Sequence, residues 1–297
     1  MWRDKDQGMK SILAFGDMLW DLFPNGARFG GAAANFSCHS ARLGAKVHTV
    51  SGIGSDDRGK RALKELKNHG VCTDLVQVIP DVETGYVLVD FDSYGQPKFT
   101  IGPNAAWENW KWKQEIERKV SQADALYFDT LGQRGEYARS GILKALEIAN
   151  REGLLRVLDI NLRPPFYDSV LIENSLNSCD LLKVSEEELG EVLRVCCLTK
   201  SLDPIEGADN LRNKYGISMV ALTRGEQGAV FLSDQVTINQ KGFPVEVVDT
   251  VGAGDSFIAS LTVDLLNELP LETSLRRACK YSSQACTHTG AIPELEV

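Results

Sequence analysis

The clearest chemical signal in the sequence is a glycine-containing loop near its carboxyl end, Asp249-Thr250-Val251-Gly252-Ala253-Gly254-Asp255. Gly252 and Gly254 can adopt backbone conformations closed to other residues, so successive amide N–H groups can point into one concavity. An apolar stripe follows at helical spacing, which puts the positive end of a helix at this loop. We therefore predict that Gly252, Ala253 and Gly254 bind an anion.

Asp255 closes this loop with a carboxylate. It would repel a phosphate, but it is well placed to accept a proton from a hydroxyl that attacks a phosphoryl group. The alternative is a plain strand-to-helix turn in which Asp255 caps the helix. The spacing alone does not separate the two. The segment before the loop, Phe243–Val248, is predicted to be a strand.

A second cluster of small residues, Gly30-Gly31-Ala32-Ala33-Ala34-Asn35, opens a predicted helix from about Ala32 to Leu43, which Gly44 ends. Small side chains let a ligand approach the backbone, and the Asn35 amide can donate to and accept from sugar hydroxyls. Close packing of a helix on its sheet explains the same residues equally well.

Two other nucleotide-binding loops can be excluded. Phe257 stands where a dinucleotide fingerprint starting at Gly252 needs its third glycine. The segment Gly54–Arg61 comes close to a Walker A loop, but it ends in Arg, and Asp56 and Asp57 would repel phosphates. We assign this segment a turn and a helix start.

Composition narrows the class of protein and its partners. The 297 residues are 43% hydrophobic and 25% charged, as in globular proteins, and the net charge is −9 without a Lys/Arg-rich run. We therefore expect neither nucleic acid nor a membrane as partner. Ile12–Phe15 is too short for a signal peptide or a membrane span, which predicts a cytoplasmic protein. The seven cysteines are an odd number and include no CxxC pair, so they indicate neither a disulfide framework nor a thiolate zinc site. The four histidines lack the close spacing of metal ligands.

Short apolar or β-branched runs alternate with segments of helical period along most of the chain. This order predicts βαβ units and a mainly parallel central sheet covered by helices on both faces. Each run is expected to precede a helix. The runs are 12–15, 47–51, 123–129, 157–160, 181–184 and 219–223.

One region departs from this alternation. Thr84–Phe91 and Lys98–Ile101 flank the turn-rich Asp92–Pro97, which predicts a β-hairpin. Together with Leu19–Phe29 it is expected to form a small antiparallel sheet that projects from the main body. The alternative is an edge hairpin on the central sheet.

The two glycine clusters, in this order and at this distance, resemble the paired signatures of the ribokinase-type sugar kinases, the phosphofructokinase B family, and most closely its fructokinases. The resemblance covers about Met9 to Pro293. It implies one domain over 1–297, with an α/β ribokinase-like three-layer α/β/α sandwich, a mainly parallel central sheet, and a small β-sheet lid inserted at about 19–29 and 83–103. It also implies ATP and Mg²⁺, and it gives Asp255 the role of catalytic base beside an anion hole.

The resemblance places the sugar against Asp21, Gly30, Gly31, Asn35 and Arg163. Asp21 falls at the family's sugar-binding carboxylate, with a solvated turn carboxylate as the alternative. Arg163 belongs to an Asp-x-Asn-x-Arg element at the carboxyl end of a strand, where open α/β sheets bind ligands. A structural salt bridge is the alternative for Arg163.

The nucleotide side is implied by two further segments. Thr223, Gly225 and Gly228 resemble the loop near the ATP phosphates and ribose, although a β-hairpin turn would use the same residues. Gly290 belongs to a segment, Cys286–Ala291, that resembles the family's C-terminal stretch beside the adenine.

Two residues are implied as metal ligands. Glu188 corresponds to the Glu of a family Asn-x-x-Glu element that helps hold Mg²⁺ through water, with Ser185 in place of the Asn. A capping box formed by Ser185 and Glu188 is the alternative. Asp249 falls near the monovalent cation of many relatives, and the sequence leaves the use of K⁺ open.

The substrate that the resemblance favours is D-fructose, phosphorylated to fructose 6-phosphate, because Trp20–Pro24 and the Asp-x-Asn-x-Arg element resemble fructokinases more than adenosine or ribose kinases. A kinase for 2-keto-3-deoxygluconate, ribose or another sugar would use the same loop and base. A noncatalytic sugar or nucleotide sensor is a different class of function on the same fold. Relatives often dimerise through their lid sheets, so the resemblance implies a homodimer through the lid.

Overall fold

The computed structural model describes residues 8–91, 97–198 and 203–295. Of the predicted hairpin turn at 92–97, residues 92–96 lie outside these ranges, and Pro97 begins β7. The strands are β1 (Ser11–Phe15), β2 (Leu19–Phe23), β3 (Gly26–Gly30), β4 (Lys46–Gly54), β5 (Val76–Ile79), β6 (Gly85–Phe91), β7 (Pro97–Ile101), β8 (Ala125–Asp129), β9 (Leu155–Asp159), β10 (Leu181–Ser185), β11 (Met219–Thr223), β12 (Ala229–Ser233) and β13 (Thr237–Gln240). The helices are α1 (Ala32–Arg42), α2 (Asp57–Asn68), α3 (Gln114–Gln122), α4 (Glu136–Glu152), α5 (Ser169–Leu176), α6 (Glu186–Val195), α7 (Pro204–Tyr215), α8 (Ala253–Leu266) and α9 (Leu271–Ala285), with short 3-10 helices at Ala106–Glu108, Leu131–Gln133 and Gly225–Gln227.

A nine-stranded sheet forms the centre of the molecule in the order β13-β12-β11-β10-β9-β8-β1-β4-β5. The strands from β11 to β5 run parallel, and only the β11-β12-β13 edge is antiparallel. The chain passes from β1 to β4 on one side and later to β8 on the other. This reversal makes the carboxyl end of β1 a topological switch point, where α/β sheets bind ligands.

Helices cover both faces of this sheet because successive strand residues point to opposite sides. Leu13 and Phe15 of β1 pack with α3 to α7, whereas Ile12 and Ala14 pack with α1, α8 and α9. The three-layer sandwich predicted from the sequence is confirmed. No helix in the described ranges has both the length and the apolar composition to cross a bilayer.

A separate four-stranded sheet has the order β3-β2-β6-β7. The prediction of a purely antiparallel sheet is wrong, because β2 and β6 are parallel, with Leu19 opposite Gly85. The chain between them passes through β3, α1, β4, α2 and β5, which is long enough for the crossover that parallel strands require. Since this sheet shares no strand with the central one, the alternative of an edge hairpin is also wrong.

Two local predictions on the C-terminal side are wrong. Phe243–Val248 is not a strand, because Pro244 lacks an N–H and the segment has no sheet partner; Val247 and Val248 are 60% and 59% exposed. The run 219–223 is followed by a short 3-10 turn and the antiparallel β12 rather than by a helix. The residues between these two strands therefore form a β-hairpin turn.

Candidate active site

Three buried carboxylates gather where neighbouring parallel strands end. Asp17 follows β1, Asp129 ends β8 and Asp159 ends β9, and they are 2%, 0% and 1% exposed. Burial is the main cause that raises the pKa of each. The predicted loop and the start of α8 lie at this same edge. Asp255 is near enough to Asp159 and Asp17 for their charges to raise its pKa.

Asp255 lies in the first turn of α8 and does not cap it. The N-cap is Gly252, with φ 79° and no side-chain capping bond. Instead, Asn35 Nδ2 of α1 donates to Asp255 Oδ2 at 2.8 Å. The capping alternative is therefore wrong. Desolvation and the charge of Asp159 raise the pKa of Asp255 to about 7, against the lowering effects of Asn35 and Lys183. The carboxyl is half-ionised near neutral pH.

The glycines of the loop are required by close contacts. At Gly252, a Cβ would lie 2.6 Å from the Ala291 carbonyl oxygen, in addition to the positive φ. At Gly254, a Cβ would lie 2.9 Å from Lys183 Nζ. The predicted donors are not equivalent, because the Ala253 N–H donates to Thr250 O at 3.2 Å. The first N–H groups of a helix lack partners within it, so Gly254 retains its donor.

The small-residue cluster brings Asp21 and Asn35 to the same place. A Cβ on Gly30 would lie 3.1 Å from Asp21 Oδ2 and 3.9 Å from Asn35 Oδ1, so the glycine leaves open space between these oxygens. Asn35 Oδ1 and Asp17 Oδ1 are buried and have no hydrogen-bond partner among the residues that the structure describes. Buried acceptors of this kind fit the hydroxyl donors of a polyol ligand. Gly31 has φ 105° and its missing Cβ would meet Asp17 O at 2.6 Å.

Two charged residues complete this side of the site. Desolvation and Asp17 raise the pKa of Asp21 to about 6, so it is not a freely solvated turn carboxylate. Arg163 is exposed, and its Nη1 donates to the adjacent Leu162 O at 2.9 Å. Among the residues that the structure describes, it forms no ion pair. Burial raises the pKa values of Asp17, Asp21 and Asp159, and the positive charge of Arg163 offsets part of this rise.

The capping-box alternative for Ser185 and Glu188 is correct. Ser185 Oγ accepts from the Glu188 N–H at 3.2 Å, and Glu188 Oε2 accepts from the Ser185 N–H and Oγ at 3.1 and 2.7 Å. Glu188 Oε1 also accepts from the Leu162 N–H at 2.9 Å. Desolvation raises the pKa of Glu188, but Lys183 and these hydrogen bonds lower it more. An ionised carboxylate whose oxygens are already engaged suits Mg²⁺ through water rather than directly.

The remaining predicted residues lie in two turns. Thr223, Gly225 and Gly228 form the β11–β12 turn, where Gly228 has φ 93° and no room for a Cβ beside Gln240 O. The Gly290 N–H donates to Asp249 Oδ2 at 3.0 Å.

Asp249 already has a cationic neighbour. Its Oδ1 accepts from the Val251 N–H at 3.1 Å, and Arg28 Nη1 lies 3.4 Å from Oδ2. A monovalent cation at Asp249 would share this carboxylate with the Arg28 guanidinium.

Sequence reasoning missed Lys183, Asp17 and Asp129 as members of the site. Lys183 lies on β10, is only 7% exposed and donates to Asp159 Oδ1 at 2.9 Å. The sequence feature that could have revealed Lys183 is a charged residue inside an apolar strand, 181–185. Burying an unpaired lysine there would cost free energy, so a charged partner is expected.

The fold also assembles a His, Cys and Asp cluster that the sequence did not predict, formed by His48, Cys72 and Asp74. His48 Nδ1 lies 2.7 Å from Asp74 Oδ1. Lys119 Nζ lies 3.2 Å from His48 Nε2 and 3.6 Å from Asp74 Oδ2. A lysine ammonium therefore already neutralises this carboxylate, and we assign no metal to the cluster.

Comparison with known proteins agrees with this geometry. The model of the family described as pfkB family carbohydrate kinase matches residues 25–297. The chain belongs to this family. This pfkB family carbohydrate kinase is 28% identical to fructokinase-2 of Solanum habrochaites, over 96% of this chain and 92% of that protein.

Two solved structures share the fold of this pfkB kinase. A fructokinase with bound ATP from Xylella fastidiosa has a TM-score of 0.84 at 22% identity, over 96% of this chain and 94% of that one. An aminoimidazole riboside kinase from Salmonella enterica, complexed with aminoimidazole riboside and an ATP analog, has a TM-score of 0.80 at 22% identity, over 95% of both chains.

Proposed function

We propose that this carbohydrate kinase is an ATP-dependent fructokinase, which converts D-fructose and ATP into fructose 6-phosphate and ADP. The observation that carries the proposal is Asp255, a carboxyl with a pKa of about 7 that Asn35 orients at the N-terminus of α8. A general base works best when its pKa lies near the working pH. The fructokinase relatives support the choice of sugar.

In the proposed reaction, a sugar hydroxyl oxygen forms a bond to the γ-phosphorus of ATP. The bond from that phosphorus to the β–γ bridging oxygen breaks, ADP leaves, and the hydroxyl proton passes to Asp255. Gly252, Ala253 and Gly254 stabilise the transferring group with N–H donors and the positive helix end. Ala253 gives up its bond to Thr250 O to do so.

The sugar lies against Asp21, Gly30, Gly31, Asn35 and Arg163 in this proposal. The open space over Gly30 and the unpartnered Asn35 Oδ1 support it. A second candidate substrate is 2-keto-3-deoxygluconate, because Arg163 is exposed without an ion-pair partner among the described residues and could bind a sugar-acid carboxylate. Ribose, or a riboside such as the one in the aminoimidazole riboside kinase, is a further alternative.

ATP is proposed to lie along Thr223, Gly225, Gly228 and Gly290. Mg²⁺, held through water by Glu188, would neutralise negative charge on the ATP phosphates. We propose Asp249 as the ligand of a monovalent cation, in competition with the Arg28 guanidinium beside it.

An ADP-release assay with Mg·ATP tests the reaction across fructose, ribose, 2-keto-3-deoxygluconate and nucleosides, with and without potassium. We expect fructose to give the highest kcat/KM. Another preferred substrate would contradict the choice of sugar but not the kinase. Ligand binding without ADP release from any sugar would favour a sensor.

Replacement of the base tests the role of Asp255. Asp255→Asn is expected to lower kcat by about 10²- to 10⁴-fold while fructose and ATP still bind. Asp57→Asn, at an exposed carboxylate on α2, is the control and should retain kcat. Full turnover in a folded Asp255→Asn protein would eliminate Asp255 as the base.

We also propose a homodimer through the small sheet, which exposes Leu88 and Phe99 by 42% and 53%. Mass measurement in solution tests this, and a monomer would contradict it. Cell fractionation tests the cytoplasmic location that the sequence predicts.

A further inference from the structure

Lys183 lies directly beside the predicted anion loop. Its ammonium donates to Asp159 Oδ1 and Oδ2 at 2.9 and 3.2 Å, which holds the ammonium at the carboxyl end of β9. The place where a Gly254 side chain would begin is 2.9 Å from Lys183 Nζ. The ammonium therefore takes the space of that missing side chain and lies against the loop backbone.

The surroundings of this ammonium are strongly acidic. Asp17, Asp159, Asp255 and Glu188 all act on one another or on Lys183 electrostatically. A phosphoryl group entering among them would be repelled, and a helix N-terminus supplies only about half a positive charge against this. Besides the Mg²⁺ proposed at Glu188, a fixed cation beside the loop would offset this repulsion.

Lys183 remains that cation throughout the neutral pH range. Burial lowers its pKa, but Asp159 and Glu188 raise it more, so that the pKa is higher than usual. Arg163, by contrast, is exposed and its nearest hydrogen-bond acceptor is a backbone carbonyl.

We propose that Lys183 is a positioning residue for phosphoryl transfer: its ammonium, fixed by Asp159, supports the Gly252–Gly254 loop and supplies the positive charge that lets the loop hold the transferring group beside Asp255. This inference rests on the proposed kinase reaction and adds a named source of charge to its anion hole.

The test uses two matched double variants. Lys183→Met/Asp159→Asn removes the whole ion pair, so no unpaired charge is left buried to unfold the protein. Arg156→Met/Asp180→Asn removes another ion pair between the same two strands, which is formed at 2.6 and 2.8 Å near their amino ends. The second variant measures what loss of an ion pair alone does.

We expect Lys183→Met/Asp159→Asn to fold with a Tm near that of the wild type and to lower kcat about 10- to 100-fold, because it removes charge stabilisation from the transferring group. The KM for the sugar should change less than about threefold, since Asp21 and Asn35 are intact. Arg156→Met/Asp180→Asn should retain kcat. Wild-type kcat in the first variant, or equal losses in both, would overturn the proposal.

The pH profile of kcat/KM separates this role from an effect on the base. Asp159 raises the pKa of Asp255 more than Lys183 lowers it, whereas Asn35 and Asp17 are unchanged in the variant. The acid limb of the Lys183→Met/Asp159→Asn profile should therefore move to lower pH while its plateau falls. An unchanged plateau would show that Lys183 acts only on ionisation and would refute the proposal.

A binding measurement keeps this test independent of turnover. Calorimetry with Mg·ATP and no sugar should show about 10-fold weaker binding in Lys183→Met/Asp159→Asn and unchanged binding in Arg156→Met/Asp180→Asn. Equal affinities would reject the role of Lys183 even if the wild type phosphorylated no sugar. An active wild type with an equally active Lys183→Met/Asp159→Asn variant would leave the kinase reaction standing and reject Lys183 alone.

Discussion

Burial disfavours the ionised form of Asp255, and ionising it lowers the stability of the folded protein. Replacing Asp255 with asparagine removes this free-energy cost, so that unfolding measurements report it without any assay of turnover. Its pKa rises from 3.8 to about 7 in the folded protein. Between these values the unfolded chain loses its proton and the folded protein keeps it, so the wild type loses stability as the pH rises through this window. At about 1.36 kcal/mol per pKa unit, the cost reaches about 2 kcal/mol at about pH 5 and about 4 kcal/mol at about pH 8.

Asp255→Asn does not carry this cost, and its amide oxygen can still accept from Asn35. We expect the free energy of unfolding of the variant, relative to the wild type, to increase by about 2 to 3 kcal/mol from about pH 5 to about pH 8. Urea unfolding at both pH values measures it. The nearby Asp17, Asp159 and Lys183 are present in both proteins, so their titration largely cancels in the difference.

Asp74→Asn is a control of opposite sign. Burial raises the pKa of Asp74, but His48 and Lys119 lower it more, so its ionised form stabilises the fold above the unfolded pKa. This variant should lose stability at both pH values. A difference between Asp255→Asn and the wild type that is flat from about pH 5 to about pH 8, or that decreases, would refute the account of Asp255.

Two further substitutions test the loop and the sugar side. Gly252→Ala should lower kcat and destabilise the fold by about 1 to 3 kcal/mol, because Gly252 has a positive φ and its new Cβ would collide with Ala291 O. The control Gly44→Ala, at φ 93° with open space around it, should lose about 1 kcal/mol of stability and retain kcat. Equal effects of the two variants in urea unfolding and in ADP release would contradict this. Asp21→Asn should raise the KM for the sugar about 10-fold or more while the KM for ATP holds, and an unchanged sugar KM would remove Asp21 from the sugar site.

The fold was predictable where periodicity alone decides it. The alternation of β-branched runs with helical segments indicated the parallel sheet, and the small residues of 30–35 indicated the start of α1. The direction of β6 against β2 was not predictable, because it depends on a crossover through five intervening elements. Phe243–Val248 has the composition of a strand, but Pro244 lacks an N–H and no described strand pairs with the segment.

The site was predictable where backbone conformation dictates residue type, as at Gly252 and Gly31. Lys183 and Asp17 were missed because their place in the site depends on residues that are close to them only in the folded structure. A lysine in an apolar strand indicates a buried partner. The sequence does not say that this partner is Asp159, or that the ammonium lies 2.9 Å from the place a Cβ of Gly254 would take.

The Asn35–Asp255 hydrogen bond joins residues 220 positions apart in the chain, and His39 Nε2 lies 2.9 Å from Ala291 O across 252 positions. The candidate active site is thus built from segments that lie far apart in the sequence. During synthesis, α1 leaves the ribosome long before α8, which packs on it. The part of the α1 surface that α8 covers stays exposed until α8 has been made, and a chain truncated before Gly252 lacks Asp255 and exposes the core around Phe36.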